Sequence, residues 1–284
     1  MSATAYVNGA YRPLAEAAVH IEDRGFQFGD AIYEVWSVRD GRLLDSEGHL
    51  ARLNRSLSEL RIASPMPDKA LMAVAHETTR RNRVRNGLVY LQISRGAAAR
   101  DHVFPKPGTR PTVVLTAKSL SQQAYETRYA KGVGVITTPE IRWARCNIKS
   151  VNLLPNVLAK QQAKERGALE AWFVDADGTV TEGASSNAWI VDAQGRLRTR
   201  NLSNRILHGV TRAVLLRLAA ERQMSVSEAP FTVAEAKAAR EAFITSASNV
   251  CVPVIAIDGV QIGDGRPGPV AQALRDAYFS AHSL

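Results

Sequence analysis

Between Arg145 and Lys160 the chain carries one formal charge, Lys149, inside the run Cys146-Asn147-Ile148-Lys149-Ser150-Val151-Asn152-Leu153-Leu154-Pro155-Asn156. A lysine kept away from other charges gives up its proton at low cost and becomes an amine nucleophile toward carbonyls. About thirty residues later comes Thr181-Glu182-Gly183-Ala184-Ser185-Ser186-Asn187. A carboxylate supplied from elsewhere in the same fold can pair with a pyridinium nitrogen, the arrangement that pyridoxal phosphate uses. On spacing alone the plain alternative is a solvated surface lysine.

Other residues have chemical uses of their own. Tyr33, Val35 and Ser37 alternate along an expected strand and so share a face; a core aromatic is the ordinary reading of Tyr33. If Arg100-Asp101-His102 is extended, Arg100 and His102 point one way and form a two-pronged clamp for a carboxylate. A solvated polar loop is the competing reading. Arg52 borders a leucine stripe, where it can be half-buried and still reach a ligand. Gly209-Val210-Thr211-Arg212 opens a helix whose free N–H groups and dipole suit a phosphate. Ser246-Ala247-Ser248-Asn249 follows a strand and can supply further amides. His20 and His208 lack metal-ligand spacing, so no metal site is expected.

These positions need a scaffold. Residues 5–40 read as strands, with a first turn at Asn8-Gly9 and a loop at Glu22-Asp23-Arg24-Gly25. Asp45 or Ser46 can cap a helix carrying Leu50, Leu53, Leu57 and Leu60. A second helix spans about 68–83, and strands follow at 89–94 and 112–116. Polar Ser119-Leu120-Ser121-Gln122-Gln123 is the best linker, dividing an α+β domain at 1–120 from a larger domain at 121–284. In the latter, a strand lies at 133–137 and a helix at 156–166, closed by Gly167. Hairpins turn at Asp177-Gly178 and Gln194-Gly195, an apolar helix covers 213–223, and a strand covers 242–245.

Composition excludes several classes. The 284 residues are 45% hydrophobic and 22% charged, an ordinary globular balance, and no apolar run approaches the ~20 residues of a membrane span. Two cysteines are too few for a disulfide framework, and a reducing cytoplasm fits best. The net charge of +9 rests on 28 arginines and 8 lysines spread along the chain. Even Arg80-Arg81-Asn82-Arg83-Val84-Arg85 has no interleaved aromatic to stack bases, so no nucleic-acid partner is expected; anionic small molecules benefit instead.

The run Glu182-Gly183-Ala184-Ser185-Ser186-Asn187-Ala188-Trp189, then Leu197-Arg198-Thr199, then Leu207-His208-Gly209-Val210-Thr211-Arg212 resembles the class IV aminotransferase signature. Glu22-Asp23-Arg24-Gly25-Phe26-Gln27-Phe28-Gly29-Asp30, His49-Leu50-Ala51-Arg52-Leu53, the Lys149 segment and the C-terminal loops fall in matching order. The resemblance implies the two-domain fold-type IV architecture of pyridoxal-phosphate enzymes, α+β, with a barrel-like C-terminal core flanked by helices. It implies that Lys149 bonds the cofactor and shuttles the proton, that Glu182 keeps the pyridine nitrogen protonated, and that Leu207 packs on the ring. Arg52, Ser186, Val210, Thr211, Ser246 and Ala247 would complete cofactor binding, Ala247 standing where relatives often offer a hydroxyl. Trp189 replaces the usual Phe or Tyr. Within the family, Tyr33 with Arg100-x-His102 resembles the carboxylate trap of D-amino-acid aminotransferases, although Ser37 departs from the lysine of close D-alanine relatives. The expectation is a homodimeric D-amino-acid transaminase acting on D-amino acids and 2-oxo acids, with active sites near the subunit interface. Branched-chain or (R)-amine transamination, an aminodeoxychorismate lyase and a non-enzymatic basic binding protein are the alternatives.

Overall fold

A computed structural model describes residues 3–282. The chain forms two compact units: one runs to Ser121 and takes in Ile148–Asn152, the other comprises Gln122–Asn147 and the chain from Leu153 onward.

The first unit opens with β1 (Thr4–Val7) and β2 (Ala10–Pro13). They turn at Asn8-Gly9, where φ is 46° and 97°, as a two-residue hairpin turn demands. Where a loop was expected at 22–25, the chain instead makes a short helix, α1 (Arg24–Phe28). Asp23 caps it by accepting the Gly25 N–H at 2.8 Å, and Gly29 ends it at φ 68°. Next come β3 (Ala31–Arg39), β4 (Arg42–Leu43), α2 (Ser46–Glu59), α3 (Asp68–Arg81), β5 (Gly87–Ser94) and β6 (Thr112–Ser119). The sheet order is β2-β1-β6-β5-β3-β4, antiparallel throughout. One face of β3 carries Ile32, Trp36 and Val38 into a core with Leu53 and Leu57 of α2 and Leu71 of α3. The opposite face presents Tyr33, Val35 and Ser37 half-exposed. Ile148 joins this core, which explains why its short segment belongs to the first unit.

The second unit begins with α4 (Gln122–Lys131), β7 (Val133–Pro139), α5 (Leu154–Glu165), β8 (Glu170–Val174), β9 (Val180–Gly183), β10 (Asn187–Val191) and β11 (Leu197–Thr199). It continues with α6 (Val210–Glu221), β12 (Val226–Glu228), α7 (Val233–Lys237), β13 (Glu241–Ser246), β14 (Asn249–Ile257), β15 (Val260–Gln261) and α8 (Pro269–Ala281). The main sheet path is β12-β11-β10-β13-β14-β7-β8-β9, with β15 beside β14. The Gly183 N–H donates to the Ser186 carbonyl at 2.7 Å, and β9 packs beside β10. The sheet therefore curls until its end strand meets one from its middle. Trp172, Phe231, Ile244 and Val252 fill part of the interior. The polar stretch expected as linker divides between the end of β6 and the start of α4.

Candidate active site

In the first unit, Lys149 is placed by strand-like pairing along the open edge of β3. The Tyr33 N–H donates to the Lys149 carbonyl at 2.9 Å, and the Val151 N–H donates to the Ala31 carbonyl at 3.1 Å. The Lys149 N–H in turn donates to Ser56 Oγ of α2 at 3.3 Å. This fixed backbone sends the ammonium over the face of Tyr33, 4.0 Å from the ring centroid. Tyr33 itself stacks on Tyr90 of β5. Lysine and tyrosine, candidates from separate stretches of sequence, are thus brought together.

Arg52 lies behind β3. It shares the buried face of α2 with His49, and both meet Glu34, whose side chain is fully buried. Arg52 Nε and Nη2 donate to the two oxygens of Glu34 at 2.7 and 2.8 Å, and His49 Nδ1 lies 2.8 Å from Glu34 Oε2. Burial alone raises the Glu34 carboxyl, but the charge and hydrogen bonds of Arg52, with help from His49, hold it down at about 2. The bidentate grip fixes the Arg52 guanidinium in one orientation.

Arg100 and His102 lie on the loop that follows β5. Residues 100–104 form an irregular, exposed loop rather than the extended segment expected. The Asp101 carbonyl accepts from Arg24 Nη1 at 2.6 Å, and the Val103 N–H turns back to Asp101 Oδ1. These bonds bend the chain, and Pro105 and Pro107 prevent a ladder beyond. The clamp's two members nevertheless share a partner. The Arg100 guanidinium lies 5.0 Å from the Phe28 ring centroid, and the His102 ring is 5.5 Å from the same ring. They are paired through Phe28, not through a strand face.

In the second unit, Glu182 lies near the end of β9 with its side chain 5% exposed. Three donors converge on it. Arg142 Nη1 lies 2.6 Å from Oε1, Asn187 Nδ2 lies 3.0 Å from Oε2, and the Leu207 N–H is shared between both oxygens at 3.0 Å. Burial pushes the Glu182 carboxyl up, against the pull of Arg142 and the Leu207 amide. Asn187 also donates to the Leu207 carbonyl at 3.1 Å, which ties Leu207 to the carboxylate. Ser186 is buried and gives its hydroxyl to Glu170 Oε2 at 3.0 Å.

Val210 and Thr211 open α6 behind Gly209, which provides no side-chain cap. A Cβ on Gly209 would meet Asn187 Oδ1 at 2.0 Å, so a larger residue would push the Asn187 amide off its bonds to Glu182 and Leu207. The helix begins three residues earlier than its apolar stripe suggested. Ser246 and Ala247 lie at the β13–β14 turn, with Ser246 Oγ 3.3 Å from Ser248 Oγ. β13 packs against α6.

These residues fit pyridoxal phosphate. A carboxylate has about four lone-pair positions. Arg142 and Asn187 take one each, and the Leu207 N–H, bifurcated over both oxygens, can settle on one of them and leave the fourth for a protonated ring nitrogen. An uncapped helix start suits the phosphate. Sequence reasoning missed Arg142, Glu140, Glu170 and Glu34. Glu34, Glu170 and Arg142 meet partners at least 15 positions away, and Glu140 acts on Glu182 only through its near neighbour Arg142, so no local spacing signals the group.

The arrangement defines a class: the chain belongs to the amino-transferase class IV family, whose model matches residues 31–257. It is 40% identical to the D-alanine aminotransferase of Bacillus licheniformis, covering 95% of this chain and 94% of that one. It is 39% identical to the D-alanine aminotransferase of Staphylococcus haemolyticus, covering 96% and 95%. Among solved structures, a T.th. branched-chain amino acid aminotransferase with pyridoxamine 5'-phosphate superposes with a TM-score of 0.88 at 28% identity, covering 99% of this chain and 94% of that one.

Proposed function

We propose that this chain is a pyridoxal-phosphate-dependent D-amino-acid transaminase, moving amino groups from D-amino acids such as D-alanine to 2-oxo acids such as 2-oxoglutarate. The observation that carries this is near-full-length identity of 39% and 40% to two D-alanine aminotransferases. When bound, the cofactor supplies an aldehyde carbon for amine exchange and a ring that accepts electrons from the substrate Cα. Lys149 Nζ is the amine that bonds this group and the base that moves the Cα proton. Its backbone, locked against β3, aims it. Glu182 offers the ring nitrogen the lone pair that the bifurcated Leu207 N–H gives up, and holds it protonated. Leu207, fixed through its own amide, packs on the ring face. Arg52, Ser186, Val210, Thr211, Ser246 and Ala247 retain the cofactor, chiefly at its phosphate.

Tyr33, Arg100 and His102 take the substrate carboxylate. Where that carboxylate is held decides which enantiomer turns its single Cα–H toward Lys149, and so decides D over L. A charge-assisted hydrogen bond contributes about 1.5–3 kcal/mol, or roughly ten- to a hundredfold in binding. Arg100→Ala should therefore raise KM for D-alanine and 2-oxoglutarate together by that factor, since both present a carboxylate. Cofactor affinity should not change. Unaltered steady-state kinetics in this variant would mean that the carboxylate is held elsewhere.

We take residues 1–120 and 121–284 as the two domains, the second lending its Lys149 segment to the first. A homodimer is part of the same reading. The 21–28 and 97–104 segments are bonded to each other and expose Ile21 (74%), Phe26 (73%) and Val103 (67%), on the same two segments as Arg100 and His102. Apolar surface of that kind supports burial against a second copy. Light scattering should give twice the mass of one chain, and a fully active monomer would contradict it. No helix among the described residues is long and apolar enough to cross a membrane. Cys146 and Cys251 are both free thiols, which supports a cytoplasmic location.

A further inference from the structure

Glu182 is itself held by residues to which the reaction above assigns no task. Arg142 follows β7 with its side chain 6% exposed, and Glu140 beside it is 3% exposed. While Arg142 Nη1 donates to Glu182 at 2.6 Å, its Nε and Nη2 donate to Glu140 Oε1 and Oε2 at 2.9 and 2.6 Å. Thr181 Oγ1 donates to Glu140 Oε2 at 2.8 Å, and the Phe173 ring lies 4.5 Å from the guanidinium. One cation therefore bridges two buried carboxylates. Arg142, Glu140 and Glu182 by themselves carry one more negative than positive charge, a costly condition when buried. The half-exposed Arg205 only partly offsets it through Glu140, and a further cation beside Glu182 relieves it.

We propose that Arg142 is a positioning residue which, clamped by Glu140, keeps Glu182 ionised and aimed, so that the cluster's unbalanced negative charge captures the protonated ring nitrogen of pyridoxal phosphate. This rests on reading the chain as a pyridoxal-phosphate enzyme. Two physical points support it. Every neighbour bonded to Glu182 is a donor, which suits a carboxylate and leaves no acceptor for a carboxylic acid proton. Glu182 is pushed up by burial, and Arg142 is the main force opposing that push. The other titratable groups around the cluster are Cys146, pushed up to about 11 chiefly by burial, and Arg205, whose charge reaches Glu140 and which shares Asp175 with Arg200. Without the Arg142 charge, Glu182 would take up a proton at higher pH and release the ring nitrogen.

The test is titration of pyridoxal phosphate onto cofactor-free full-length protein, with the absorbance of the bound cofactor followed across the neutral pH range. Arg142→Gln should bind the cofactor about ten- to a hundredfold more weakly and should show a pH step that the parent lacks. Arg142→Lys keeps the charge without the two-sided fork and should fall between them. Glu140→Gln leaves Arg142 to Glu182 alone and should lose less affinity than Arg142→Gln, with no pH step. Parental affinity and a flat pH response in Arg142→Gln would overturn the proposal. If that variant does not fold, a soluble Arg142→Lys indistinguishable from the parent in both readouts overturns it instead. A loss in Glu140→Gln equal to that in Arg142→Gln would do the same, since the cluster would then serve folding only. A parent chain that fails to bind the cofactor would sink the underlying functional reading and not this step alone.

Discussion

Lys149→Ala should abolish transamination while leaving the protein folded. Positioned proton transfer alone contributes about 10²–10⁴-fold to a rate, and this variant also loses the amine that bonds the cofactor, so a fall of at least about 10⁴-fold is expected. The fold should survive because the neighbouring structure depends on the lysine's backbone. Its carbonyl accepts from Tyr33 and its N–H donates to Ser56 in either variant. The side chain approaches the Tyr33 ring at 4.0 Å, a cation–π pair worth about 0.5–1 kcal/mol where exposed. Thermal melting should therefore move little while turnover of D-alanine with 2-oxoglutarate disappears. A rate near that of the parent would end the assignment of Lys149.

Glu182→Gln should lower turnover by about 10²–10³-fold, the cost of removing one preorganised electrostatic partner, while the cofactor is still retained. The geometry gives the sign. Glutamine offers one acceptor oxygen where Arg142, Asn187 and Leu207 all donate. Its amide must then either turn an N–H toward Arg142 or Asn187, or present it to the ring nitrogen. In the second case it favours the unprotonated nitrogen, and the ring withdraws fewer electrons. Single-turnover absorbance with D-alanine separates slow chemistry from weak cofactor binding. An unchanged rate would show that some other group holds the ring nitrogen.

What could be read from the sequence followed local chemistry. The turns at Asn8-Gly9, Asp177-Gly178 and Gln194-Gly195 sit where glycine must take positive φ, and each lies between paired strands. The α2 stripe put Leu53 and Leu57 into the core, as its period required. Elements set by tertiary contacts were hidden. The helix at Arg24–Phe28 is five residues long and depends on the Asp23 cap and on Arg24, whose side chain is buried on Asp30. The expected linker takes in only the first two residues of the helix at Gln122–Lys131, which Tyr129 anchors to α8 by donating to Gln272 at 2.6 Å. The C-terminal helix Pro269–Ala281 is started by Glu241, which comes well before it in the chain and accepts the N–H groups of Val270 and Ala271.

The candidate site shows the same division. Ordered motifs pointed to Lys149, Glu182 and the loop at Gly209 as candidates, because these residues fall in the order of a recurring pattern. The charge network around them left no such trace. Glu34 lies 18 positions before Arg52, and Arg142 lies 40 positions before Glu182. Each is an ordinary charged residue until the fold buries it against its partner. The Arg100–His102 pair was recognised for its residue types, but the geometry first assumed for it, an extended strand, is replaced by a bent loop resting on Phe28. The solved structure reported above is a branched-chain enzyme at 28% identity, whereas the sequence relatives at 39% and 40% are D-alanine enzymes. The backbone is common to both activities, so the hand of the substrate must be decided by side chains.

That hand is the central claim, and one measurement addresses it directly. The purified protein is incubated with pyridoxal phosphate, 2-oxoglutarate and either D-alanine, L-alanine or L-leucine, and the glutamate formed is resolved by chirality. The expected result is equal amounts of pyruvate and D-glutamate from D-alanine, with far slower turnover of both L-amino acids. Faster turnover of L-leucine, with L-glutamate as the product, would contradict the account and place the chain with the branched-chain enzymes.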